Sequence, residues 1–254
     1  MRCSVLSWLM FAFGLLTGSF LNVCSYRLPQ NISLVQPPSH CLHCNRRLKF
    51  YELVPVVSWL MLRGRCRYCK TAVSVRYPAV ELVTACLFSL CFRELGVGCE
   101  LVKALILTSF FIVITLIDYD HRLILDKVLV CLAGAGILIS LPASHLPGSS
   151  VDMLLGGLAG GGLLLLIAIA SRGGIGGGDI KFAATLGLWL GWQYTLVALL
   201  IAFIIGGLGG GLLLAFKIKK RRDYIPFGPF IAAGAWLSFL YGAELIEGYL
   251  KWMM

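Results

Sequence analysis

The sequence predicts an all-α polytopic membrane protein of about eight transmembrane helices, with a small cytoplasmic zinc-binding loop domain between the first and second. Three observations carry that expectation. Of 254 residues, 59% are hydrophobic and only 13% charged, and the mean hydropathy of +0.87 lies beyond that of ordinary soluble domains. Apolar runs approaching the roughly 20 residues that a helix needs to cross about 30 Å of hydrocarbon recur along the chain. The basic residues fall almost wholly into alternate connections between those runs.

In order, the runs cover approximately 4–26, 78–96, 101–118, 127–142, 153–170, 180–193, 195–216 and 227–248. The first follows Arg2 and resembles a signal peptide, but it is long and no small-residue cleavage site follows, so it is expected to remain as a span. The second contains Glu81, the third runs into the acidic stretch LIDYDHRLILD, and the fourth begins just after Asp126. The sixth is short and interrupted by glycine, which leaves a half-span as an alternative. The eighth closes on Glu244 and Glu247.

Cytoplasmic connections carry the excess of Lys and Arg, so the 22 basic residues test both the count and the orientation. With the N-terminus outside, inner segments hold 18 of them, from Arg27 to the cluster Lys217, Lys219, Lys220, Arg221 and Arg222. Arg2, Arg93, Lys103 and Lys251 fall outside. One span more or fewer would move a basic cluster to the wrong face, so both termini are expected outside the cytoplasm. The formal charge of +10 then calls for no nucleic-acid partner, because positive loops beside anionic membrane lipid are the rule for such chains.

The one sizeable polar segment, CLHCNRRLKFYELVPVVSWLMLRGRCRYC, pairs Cys41 with Cys44 and, after 21 intervening residues, Cys66 with Cys69. Two CxxC turns at this spacing are a zinc signature: each offers two thiolates from one knuckle to a tetrahedral ion. A loop this small cannot stabilise itself by burial, and metal binding would supply folding free energy. Disulfides are disfavoured by the reducing side on which the charges place the loop. His40 and His43 beside the first knuckle read as surface residues. The resulting division is 1–26 as the first transmembrane helix, 27–77 as a cytoplasmic four-cysteine zinc-binding domain and 78–254 as a seven-helix membrane domain.

Ionisable groups at membrane depth are costly and therefore point to function. Asp118 ends the third span next to Leu116 and Ile117, and Asp179 follows Gly176, Gly177 and Gly178 at the start of the sixth. The topology brings both to the inner interface. Two carboxyls meeting at low dielectric cannot comfortably both ionise; one keeps a proton while the other acts as base, which is equipment for activating water. The glycines are expected to clear space around Asp179. Asp120, flanked by His121 and Arg122, reads as solvated and Asp126 as a helix cap, while Glu81 could bind a substrate amine or pair with Arg76.

These segments together resemble a family, the type IV prepilin leader peptidases, which are GxGD-type aspartic proteases of pilus and type II secretion systems. The resemblance covers GSFLNVCSYRLP, the two CxxC pairs around PVVSWLMLRGRC, RYPAVELVTA, LIDYDH, GIGGGDIK and IPFGP. It implies Asp118 and Asp179 as catalytic residues, and removal of the basic leader of prepilins or pseudopilins on the cytoplasmic face of a bacterial inner membrane. It also implies N-methylation of the new terminus with S-adenosylmethionine by the cysteine-bearing part, for which Gly64 is the family-implied candidate residue. Members usually carry Pro where this chain has Leu125, which puts the local loop geometry in question. A homodimer is left open.

Two other classes compete. Paired acids with a glycine-broken helix would suit a proton-coupled transporter, although no repeat relates residues 1–127 to 128–254. A zinc-stapled membrane adaptor would need the cysteines but not the aspartates.

Overall fold

The computed structural model describes residues 2–140, 150–216 and 225–253. Regular structure among them is helical throughout: α1 Arg2–Arg27, a 3-10 turn Phe50–Leu53, α2 Val57–Met61, α3 Arg76–Leu95, α4 Cys99–His121, α5 Asp126–Ser140, α6 Ser150–Ala170, α7 Gly177–Ala215 and α8 Gly228–Met253. No strand occurs among the described residues, only the isolated bridges His40 to Arg47 and Arg65 to Ala72. Five helices are long and apolar enough to cross a membrane, the segments Val5–Arg27, Cys99–His121, Val151–Ala170, Gly177–Leu212 and Gly228–Met253. In the third of these only 17% of the apolar window is buried, an exposure that water would penalise and lipid does not. The expected end of the fourth run at 141–142 and the basic cluster from Lys217 to Arg222 lie outside the described residues.

The chain forms two compact units, Met1–Val113 and Ile114–Met254. In the first, α1 and α3 pack antiparallel. Gly14 lies against Ala85, Gly18 against Glu81 and Thr84, and the Asn22 side-chain amide donates to the Tyr77 carbonyl at 3.2 Å. Residues without a Cβ at 14 and 18 let the two backbones approach closely, the usual way helices associate where lipid gives no hydrophobic drive. The cysteine loop is carried between the two helices.

In the second unit α7 has 39 residues, which a straight helix would stretch over about 58 Å, nearly twice the hydrocarbon thickness. It is not straight. Gly191 has φ 73 and ψ 174, a conformation that residues with a Cβ avoid, and the helix breaks there into two limbs. Gly160 of α6 lies against both Ala183 and Thr195, which a straight helix would hold about 18 Å apart, so the second limb folds back along α6. That limb then packs antiparallel to α8: the Ser238 hydroxyl donates to the Tyr194 carbonyl at 2.7 Å, Gly234 lies against Ala198, and Phe227 stacks on Phe203. The Trp189 indole donates to the Leu132 carbonyl at 2.9 Å and ties α5 to the first limb.

Candidate active site and metal centre

Asp118 sits in the last turn of α4 and Asp179 in the first turn of α7. Both are buried, at 2% and 4% exposure, and they interact electrostatically with each other. Each is held by the local chain. The amide of Gly228, the first residue of α8, donates to Asp118 Oδ2 at 3.0 Å. A Cβ at residue 228 would stand 2.6 Å from that oxygen, so only glycine can bring its N–H so close to the carboxyl. Gly176 carries the carbonyl that accepts the Asp179 amide at 3.1 Å, and a Cβ there would come within 3.2 Å of Asp179 Oδ2. At Gly178 a Cβ would press on Ile124, just ahead of α5. Of the three glycines expected to clear space around Asp179, only 176 lies against its carboxyl; 178 lies against Ile124 and 177 faces nothing nearby.

The ends of α4, α5, α7 and α8 therefore converge on one acidic point. Gly228 was not legible as a site residue from the sequence; the signal was the proline-bracketed turn IPFGP opening an apolar run, which marks a backbone forced into one geometry.

The neighbouring acids separate from the pair. Asp120 is exposed, as its charged flanks suggest. Asp126 is the first residue of α5, and both its oxygens accept from Lys181 Nζ at 2.9 Å, an exposed ion pair beyond the simple cap expected. Glu81 is buried and accepts the Val56 amide at 2.7 Å, holding the loop at a residue whose φ is 59. At Leu125 it is the carbonyl that matters, accepting from Val128 and Leu129 to open α5, and proline offers the same carbonyl. The departure from the family pattern thus leaves the start of α5 formed.

Cys41, Cys44, Cys66 and Cys69 bring their sulfurs within 4.8 Å of one another, with Cys41 and Cys69 at 3.8 Å. Four ligands at 2.3 Å from a tetrahedral zinc would stand about 3.8 Å apart, so the donor set fits. The two knuckles are built alike. Cys41 and Cys66 donate their amides to the carbonyls of Arg46 and Thr71, and accept from the amides of Asn45 and Lys70, both of which have positive φ. The Arg46 guanidinium lies 4.2 Å over the Tyr68 ring and joins one knuckle to the other. The Thr71 side chain, 3.3 Å from Cys69 Sγ, holds that thiol down at about 6, and the amides of Cys44 and His43 lower Cys41. Thiolates are the form a metal takes. His40 bonds through Nδ1 with the Pro38 carbonyl and stands outside the sulfur cluster.

Gly64 has φ 65, and a Cβ there would meet the Trp59 ring at 2.7 Å; the Trp59 indole in turn donates to the Val73 carbonyl at 3.0 Å. Trp59 belongs to the wall of a cavity of about 700 Å³ between the cysteine loop and α1 and α3, so Gly64 supports that wall.

Residues 12–95 match the bacterial Peptidase A24 N-terminal domain, and residues 105–211 match the type IV leader peptidase family. The chain is similar to the prepilin leader peptidase/N-methyltransferase of Bacillus subtilis, with 38% identity covering 96% of this chain and 97% of that protein. It is similar to the proteins of the same name from Aeromonas salmonicida, with 34% identity covering 96% and 93%, and from Pseudomonas aeruginosa, with 33% identity covering 94% and 91%. No solved structure matches the chain.

Proposed function

The chain belongs to the type IV leader peptidase family, and from that premise we infer that it is a multi-pass membrane enzyme that removes the leader peptide from type IV prepilins and N-methylates the terminus so exposed. The observation that carries the peptidase reading is the burial of both Asp118 and Asp179, the Asp118 charge being felt at Asp179, at the end of one helix and the start of another. One carboxylate takes a proton from water as the water oxygen attacks the scissile carbonyl. The other, protonated, gives its proton to the leaving amide nitrogen, so the pair ends with its roles exchanged. The Gly228 N–H steadies the Asp118 carboxyl by its hydrogen bond to Oδ2.

Cys41, Cys44, Cys66 and Cys69 hold a structural zinc ion, which staples residues 27–77 into a domain distinct from the membrane part at 78–254. S-adenosylmethionine is the methyl donor, and when bound it supplies a methyl group on a positively charged sulfur. A group of that size fits the cavity of about 700 Å³ in the first unit, whose lining carries Glu52 and Glu81 beside Arg27, Arg65 and Arg67 and so offers partners of both signs to a ligand with an amino acid end. In the membrane, α3 and α5 join the five candidate spans and the two limbs of α7 cross separately, giving eight crossings with both termini outside. This orientation sets the aspartates at the cytoplasmic rim of the inner membrane, where a basic leader lies.

Asp118→Asn and Asp179→Asn are each expected to slow prepilin cleavage by about 100-fold or more while the protein still inserts and binds metal. Cleavage at the wild-type rate in either variant would sink the pair as catalytic residues.

A further inference from the structure

The cysteine loop leaves large apolar side chains exposed. In α2, Val57, Leu60 and Met61 lie on one face, three and four residues apart, and are 50%, 61% and 79% exposed. Ser58 and Trp59 turn the other way, into the cavity wall. Leu53 and Val54, just ahead of α2, are exposed as well. A contiguous apolar face of this kind marks a surface that meets something other than water.

The depth of that face identifies what it meets. Val56 donates its amide to Glu81 Oε2 at 2.7 Å, and Glu81 is five residues, about 7.5 Å, inside the start of α3. A glutamate leans back toward the N-terminus of its helix but, with its hydrogen bond, spans little more than that rise, so Val56 stands no farther out than the first turn of α3. That turn is itself set inside the end of α1. The Asn22 side chain reaches the Tyr77 carbonyl, and Asn22 precedes Arg27 by five residues, again about 7.5 Å. Ser58 and Trp59 accordingly share a cavity wall with Ser19 and Asn22. Since α1 is one of the candidate spans, from Val5 to Arg27, α2 lies alongside a helix that is still within the membrane.

Charge points the same way. Between residues 39 and 75 the sequence has seven basic side chains against one acid, Glu52, which is buried. Lys49 and Arg63, on either side of the apolar face, are exposed. Exposed apolar side chains flanked by bases are the pattern of a segment lying in the plane of the membrane interface.

We propose that residues 53–61 are an interfacial anchor: Val54, Val57, Leu60 and Met61 enter the acyl boundary of the leaflet in which α1 ends, and Lys49 and Arg63 meet its anionic headgroups. The cysteine loop is then held to the bilayer at its middle as well as by the helices at its two ends. The buried Glu81 carboxylate fixes the depth of the anchor through Val56. Anchoring holds whichever side of the membrane the loop faces, and depends on neither peptide cleavage nor methyl transfer.

The test uses the zinc-loaded full chain, one copy per nanodisc of phosphatidylethanolamine and phosphatidylglycerol, with a phospholipid that carries a photoreactive group near the head end of its acyl chain. Irradiation is expected to label peptides covering residues 53–61 together with those of α1, a readout that needs no variant to fold. The double variant Leu60→Asp, Met61→Asp changes only exposed positions, and should cut labelling of 53–61 by about fivefold or more while zinc content and α1 labelling stay unchanged. Discs of phosphatidylcholine alone should lower it about two- to threefold. Label on α1 with none on 53–61, or equal labelling in parent and double variant, would overturn the anchor. Equal labelling in both kinds of disc would overturn the headgroup contacts. Residues 53–61 left unlabelled by lipid, but shielded from protease by added prepilin or only in discs holding two copies, would assign the face to substrate or to a second chain instead.

Discussion

At the scale of single residues, the site depends on a glycine as much as on its two acids. The Gly228 amide reaches Asp118 Oδ2 at 3.0 Å only because no Cβ stands between them. Gly228→Ala would place a methyl group 2.6 Å from that oxygen and turn the carboxyl away from its partner. Small misplacements of reacting groups cost rate steeply, so cleavage by Gly228→Ala should fall about 10- to 100-fold, measured on purified protein whose melting temperature is close to that of the parent. Loss of rate without loss of fold is the expected signature. Asp118 and Asp179 were legible in the sequence because a charge at the edge of an apolar run is costly wherever it has no task. Gly228 was not, because a glycine in an apolar run has many uses and only the approach of α4 selects one.

At the scale of elements, the metal knuckles and the crossing of α6 with α7 are the two most tightly constrained features. Each knuckle holds its cysteines chiefly by backbone hydrogen bonds, so the loop has the shape of a site but little apolar interior to keep it. Cys44→Ser should therefore lose bound zinc and expose the loop to protease, as should treatment of the parent with a chelator; metal analysis and limited proteolysis read both. Two thiols of the cluster shift in opposite directions: Cys44 is raised to about 11, whereas Cys69 is depressed from 9.0 to about 6 chiefly by the Thr71 side chain, and the contribution of Cys69 has a definite sign. A group lowered in the folded state contributes stability that is fully present above pH 9, shrinks as the pH falls below that, and is gone once the pH has passed below about 6. Zinc retention should fall in the same direction, because protons compete with the metal for the thiolates. In the crossing of α6 with α7, Gly187 lies directly on the Gly156 backbone. Gly187→Ala would force the helices apart and should destabilise the second unit by about 1–3 kcal/mol, seen as a lower thermal midpoint in detergent.

At the scale of the whole molecule, the question is how many helices cross and which way. A reporter active only in the cytoplasm, fused after residue 253, is expected to stay silent if both termini lie outside, and to be active when placed in the cysteine loop. Composition and hydropathy were enough to establish a helical, membrane-embedded chain, because bare backbone in hydrocarbon has few other solutions than the helix. The spacing of the cysteines was enough to pair two sulfurs in each knuckle, because each CxxC turn is a local structure that needs only its own neighbours; the meeting of the two knuckles is a tertiary contact. Contacts between segments distant in sequence were of another kind. That α7 folds back at Gly191, that Glu81 holds the Val56 amide, that Gly228 caps the Asp118 carboxyl and that Glu52 is buried with an oxygen to spare all depend on which helix faces which. Those choices arise from packing and hydrogen-bond satisfaction summed over the whole chain, and only the tertiary structure decides them.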